Sequence, residues 1–172
     1  MLPWAIKYLP KSLNEVQGQN KAVESMYNFI DIFPKIKSAL LYGPPGSGKT
    51  SAIHALATEK NLELIELNAS DVRNAEAIKK RLGPATTQMS LFGGSKIILV
   101  DEVDGVSGSK DRGGLSELNK LIAKTQFPVI MTANDPFDKK FSTLRKNAKM
   151  IEFRSLNYLS VLKILKNICN QE

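Results

Sequence analysis

The sequence predicts an α/β fold, a parallel sheet with helices on both faces, and three observations carry that prediction. Apolar runs at 39–42 (ALLY), 96–104 (KIILVDEVD) and 128–134 (PVIMTAN) read as buried strands, with weaker ones at 63–67 (ELIEL) and 150–153 (MIEF). Between Gln19 and Phe33 the apolar residues Ala22, Val23, Met26, Phe29, Ile30 and Phe33 recur at three- and four-residue spacing, the pattern of an amphipathic helix packed on a sheet. Further helical stretches separate the strands. Such alternation argues for a three-layer architecture that binds its ligands at the carboxyl ends of the strands.

Length and composition bound the rest. A chain of 172 residues holds one domain with a real core, and 42% apolar with 24% charged residues is ordinary globular composition. No apolar run approaches the roughly 18 to 20 residues of a membrane span, and the opening MLPWAIKYLP lacks the plan of a secretory signal. These features exclude a membrane partner and predict a cytoplasmic protein, or a nuclear one in a nucleated cell. One cysteine, Cys169, and one histidine, His54, exclude a disulfide framework and a Cys/His zinc site, so any metal must be held by oxygen. A net charge of +7 suits a polyanionic partner without identifying one.

After the first strand comes GPPGSGKT, Gly43 to Thr50, at a strand-to-helix junction, the context that gives the P-loop pattern its meaning. Gly43, Gly46 and Gly48, with Pro44, Pro45 and Ser47 between them, let main-chain N–H groups approach phosphate oxygens, and the helix beginning near Gly48 adds its positive end. Lys49 is placed against the β- and γ-phosphates of ATP, and Thr50 presents a hydroxyl to Mg²⁺. The run at 96–104 then ends a strand with Asp101 and Glu102. Asp101 is the candidate for holding Mg²⁺, mostly through water, and Glu102 for polarising the water that attacks the γ-phosphate. The strand at 128–134 brings Asn134 beside the γ-phosphate if it is inserted between the first and third strands. There Asn134 positions water, or serves the turn that Asn-Asp-Pro favours, or both.

Between these elements the residues from Gly83 to Ser95 read as a loose region, and a last helix is predicted over Tyr158–Cys169, with Cys169 in its core. The abrupt end after that helix predicts a fragment of a longer protein or a shortened gene product.

The residues also spell a family. PWAIKYLPKSLNEVQGQ (3–19), the P-loop, ELNASDVR (66–73), ILVDEVDG (98–105) and MTAND (131–135) resemble clamp loaders of the replication factor C type, and the resemblance covers almost the whole chain. Within that family SLFGG (90–94) and VDGVSGSKDRGG (103–114) are similar to the large subunit, and the lack of a domain before Pro3 resembles the archaeal form. The resemblance implies an AAA+ P-loop NTPase with a five-stranded parallel sheet over residues 1–154, and the start of a helical lid over 155–172. It implies that ATP is bound between subunits and drives loading of a ring-shaped sliding clamp (PCNA) onto primer–template DNA, with replication factor C small subunits as partners. Val16 and Gln17 would contact adenine through their backbone; Trp4 and Tyr8 fit the same region or core packing. Where small subunits of the family carry Ser-Arg-Cys, this chain has Lys146, Asn147 and Ala148, so it should receive an arginine finger rather than donate one, and should hydrolyse ATP slowly alone. Arg145 reads as structural or as an intersubunit contact. DNA phosphates would be met by Lys79, Lys80 and Arg81 at the end of the helix after NASD, and by Lys110 and Arg112 before the next helix; a solvated basic face is the other reading of these residues. Two other functions remain open, an ATP-bound scaffold whose hydrolysis is unimportant and another AAA+ replication or repair ATPase. An intact Glu102 opposes the first.

Overall fold

The computed structural model describes residues 3–69, 75–87, 95–105 and 113–172. Among the described residues five strands form one parallel sheet in the order β2-β3-β4-β1-β5. They are β1 (Ser38–Tyr42), β2 (Glu63–Asn68), β3 (Lys96–Asp101), β4 (Val129–Ala133) and β5 (Lys149–Glu152). The helices are α1 (Trp4–Lys7), α2 (Asn20–Ile32), α3 (Lys49–Glu59), α4 (Ala75–Thr87), α5 (Gly114–Lys124), α6 (Ser142–Asn147) and α7 (Tyr158–Gln171). β4 lies between β1 and β3, the insertion on which the position of Asn134 depends.

The central strands are apolar on both faces because both faces are covered. Ala39 and Leu41 of β1, Ile97 and Leu99 of β3 and Ile130 of β4 join Met26 and Phe29 of α2 and Ile53 and Leu56 of α3 in one core. The alternate residues Leu40, Ile98, Val100, Val129 and Met131 join Ile78 and Leu82 of α4, Leu118 and Ile122 of α5 and Leu144 of α6 in the other. Each fully buried Leu, Ile or Phe contributes roughly 1.5–3 kcal/mol, so the sheet is the rigid layer on which the strand-end loops are mounted.

Several elements depart from the sequence reading. β3 ends at Asp101, not at 104, because Glu102 turns the chain away with φ +54° and a short 3-10 turn, Val103–Gly105, follows. The segment from Gly83 is helical as far as Thr87 despite Gly83 and Pro84. Burial of Leu82 and Thr86 and a main-chain bond from Gln126 N–H to the Thr86 carbonyl at 3.0 Å outweigh the local breakers. Lys79, Lys80 and Arg81 consequently lie in the middle of α4, exposed, rather than at its end. Cys169 is exposed rather than in a lid core, since α7 has no fully buried residue. Trp4 is 54% exposed and meets Tyr8 edge to face, so neither is core. Among the described residues no helix is long and apolar enough to cross a membrane.

Candidate functional site

The loop from Gly43 to Gly48 leaves β1 and enters α3 at Lys49. Its glycines take left-handed or otherwise glycine-favoured conformations, with φ +142° at Gly43, +73° at Gly46 and +94° at Gly48. Gly43 is the position where the side chain matters most: a Cβ there would stand 1.9 Å from the Phe153 carbonyl oxygen. The loop is thereby pressed against the chain leaving β5. Gly43→Ala should lower stability by about 1–3 kcal/mol from backbone strain alone, read as a lower denaturant midpoint. An unchanged midpoint would show that the contact yields freely.

A buried glutamine ties the same two segments together. Gln19, 4% exposed, donates through Nε2 to the carbonyls of Ser47 (2.9 Å) and Arg154 (2.7 Å) and accepts from the Arg154 N–H (3.2 Å). Pro44, Pro45 and Gly46 are exposed at the crest of the loop, while Ser47 and Lys49 are buried. The Lys49 ammonium donates to the carbonyls of Gly43 (2.7 Å) and Pro44 (3.0 Å) and to Asn134 Oδ1 (3.2 Å). Burial pushes its pKa down, and the carboxylates of Asp104, Asp101 and Glu102 pull it back up in part. The ammonium thus faces three acidic side chains from the ends of β3 and the turn after it.

Thr50, the second residue of α3, donates to Asp101 Oδ1 at 3.2 Å. Thr132 of β4 also donates to Asp101 Oδ1. Its hydroxyl accepts from the Glu102 N–H at 2.9 Å. Asp104 Oδ2 accepts from the Asn134 N–H at 2.8 Å. Its other oxygen is buried without a hydrogen-bond partner among the described residues. Lys49, Thr50, Asp101, Glu102 and Asn134 therefore meet at the carboxyl ends of three adjacent strands, β1, β4 and β3. Thr132, Asp104 and Gln19 were not singled out in sequence. The sequence signal for the first two is a polar residue two positions before Asn134 or two positions after Glu102.

Val16 and Gln17 line a cleft of about 710 Å³ together with Gly46, Ser47, Gly48 and the α7 residues Ile164 and Ile168. Leu9, Val16, Leu156, Ile164 and Ile168 give the cleft apolar surface beside the phosphate loop. Near the cleft in sequence, the Leu13 N–H (2.8 Å) and the Tyr27 hydroxyl (2.7 Å) both donate to Glu59 at the end of α3, which ties the segment before Val16 to α2 and α3. The chain's residues fit a magnesium nucleotide: main-chain donors and a lysine for phosphate, and two oxygen donors, Thr50 and Asp101, for a hard cation that takes its other ligands from phosphate and water.

Of the remaining predicted residues, Lys79, Lys80 and Arg81 are exposed on α4. Lys110 and Arg112 fall outside the described residues, as do SLFGG and Ser70 to Arg73. Arg145 on α6 donates to the carbonyls of Pro136 and Asp138, the latter at 2.8 Å, and its guanidinium stands 5.8 Å from the Phe137 ring centre. It is held by its own loop. Lys146 and Asn147 close α6, and Ala148 follows them.

A family model, the ATPase family associated with various cellular activities (AAA), matches residues 39–155. Relatives named "Replication factor C large subunit" include one from Thermofilum pendens, 47% identical over all of this chain and 43% of its own length. Another, from Methanococcus vannielii, is 45% identical over all of this chain and 36% of its own. A third, from Nanoarchaeum equitans, is 45% identical over 99% of this chain and 40% of its own. The chain spans less than half the length of these curated relatives.

Proposed function

We propose, from the premise that this chain belongs to the AAA family of ATPases, that it is the ATP-binding part of a DNA sliding-clamp loader and that its nucleotide cycle drives loading of the clamp onto primer–template DNA. The observation that carries this reading is the meeting of Lys49, Thr50, Asp101, Glu102 and Asn134 at three strand ends. The relatives' name supplies the loader.

The roles follow from chemistry. The N–H groups of the loop from Gly43 to Gly48 bind phosphate oxygens, and Lys49 exchanges its two loop carbonyls for the charged β- and γ-phosphates. Thr50 and Asp101 hold Mg²⁺, which when bound neutralises charge on the transferring phosphoryl group. Glu102 accepts the proton of the attacking water, and Asn134 orients that water. Val16 and Gln17 receive the adenine. Residues 1–154 form the ATP-binding domain, and 155–172 begin a lid. The partners are replication factor C small subunits, the clamp and DNA, whose phosphates Lys79, Lys80, Arg81, Lys110 and Arg112 meet without reading bases.

Two measurements test the reading. Lys49→Ala should weaken ATP binding by roughly 10- to 100-fold, the worth of charge-assisted hydrogen bonds to phosphate, in a calorimetric titration. Parent-like affinity would sink the nucleotide site. In the assembled loader, omission of this chain should stop ATP-dependent clamp placement on primed DNA; placement at an undiminished rate would sink the loader reading while leaving the ATP site intact.

A further inference from the structure

We propose that Thr132 is a positioning residue for ATP hydrolysis: its hydroxyl ends the β3–β4 ladder in place of a main-chain carbonyl, and so fixes the backbone conformation from which Glu102 works. The inference rests on the reading of Glu102 as the base.

The ladder shows the substitution of one acceptor for another. β3 and β4 pair in register as Ile98↔Val129, Leu99↔Ile130 and Val100↔Met131. The Ile98 N–H donates to the Pro128 carbonyl at 3.0 Å. In a parallel ladder such bonds recur every second residue, so four residues further along both strands the Glu102 N–H comes opposite Thr132. There the acceptor is Thr132 Oγ1, at 2.9 Å, and not the Thr132 carbonyl. The chain is released from the sheet at that point, and Glu102 adopts φ +54°. A non-glycine residue keeps that conformation only where its surroundings impose it.

The hydroxyl is itself held. Thr132 is 1% exposed, and branching at Cβ restricts its χ1, so the strand sets where Oγ1 points. Its single proton goes to Asp101 Oδ1, an oxygen that also accepts from Thr50. One side chain thus links the carboxylate assigned to the cation with the main chain of the neighbouring base. Valine in its place keeps the shape and loses both bonds, leaving the Glu102 N–H without its acceptor and Asp101 with the Thr50 hydroxyl but without that of Thr132.

The test compares Thr132→Val and Thr132→Ser with the parent, in the assembled loader whose other subunits carry inactivated sites. The valine variant should lose about 10- to 100-fold in turnover, the usual effect of removing a partner of a ligating carboxylate. ATP affinity should hold, and hydrogen exchange at the Glu102 amide should speed up. Serine should restore both turnover and amide protection, which a role in packing alone would not predict. Thr132→Ala gives the same readouts should the valine variant fail to fold. Parent-like turnover in the valine variant beside an inactive Glu102→Gln overturns this inference alone, as does unchanged exchange at Glu102. Full turnover in Glu102→Gln overturns the reading of the base, and this inference with it.

Discussion

ATP turnover at this chain's site should rise by about 10³- to 10⁵-fold when a neighbouring subunit inserts an arginine at the nucleotide. The expectation starts from charge. As the γ-phosphoryl group leaves, negative charge spreads over its oxygens, and the P-loop supplies one cationic side chain, Lys49, whose ammonium also faces Asp104, Asp101 and Glu102. Arg145 cannot swing in to help without giving up two carbonyls of its own loop. Donation outward is equally unsuited on the resemblance to clamp loaders, whose small subunits carry Ser-Arg-Cys where this chain has Lys146, Asn147 and Ala148, and a lysine lacks the planar fork that matches phosphate. Single-turnover hydrolysis, measured with the chain alone and then with its neighbour, reads the stimulation. Replacing the neighbour's arginine by alanine should abolish it, whereas Lys146→Ala should leave hydrolysis at the neighbour's own site unchanged. A chain that hydrolyses ATP at the assembled rate when alone would show that its site is complete without a donor.

The fold was legible because its strands are buried on both faces and its phosphate loop is spelled by glycines whose conformations few other residues reach. Leu40 and Leu41 point to opposite cores, yet both are apolar, so β1 reads as a strand without knowledge of its neighbours. The three features that tighten the site are not of that kind. Thr132 meets Asp101 and Glu102 only because β4 is inserted beside β3 in one register, a relation across about thirty residues that no local pattern encodes. Gln19 holds the phosphate loop from a distance of 28 residues. Asp104 reaches the Asn134 N–H only after Glu102 has turned the chain. At Gly83 and Pro84 the same cause acts in the opposite direction: the sequence carries a local breaker signal, and tertiary packing of Leu82 and Thr86 overrides it.

Glu102→Gln should retain ATP while losing about 10²- to 10⁴-fold in hydrolysis, the range attributed to a positioned base. The replacement is mild for the fold. Glu102 is exposed, its N–H bond to Thr132 is a main-chain bond that survives, and glutamine has the same length and shape, so the thermal midpoint should stay with the parent. Affinity should hold or rise slightly, since one negative charge near the phosphates is removed while the loop amides, Lys49 and Thr50 remain. What disappears is a group able to take a proton. Binding and turnover, measured on the same preparation, separate these effects: tight binding with lost turnover assigns the base, and a fall of less than tenfold sinks that assignment. Clamp placement then separates the two remaining functions. A loader that must release the clamp by hydrolysis stalls with Gln at position 102, whereas a subunit that only fills its site to hold an assembly together completes repeated rounds at the parent's rate.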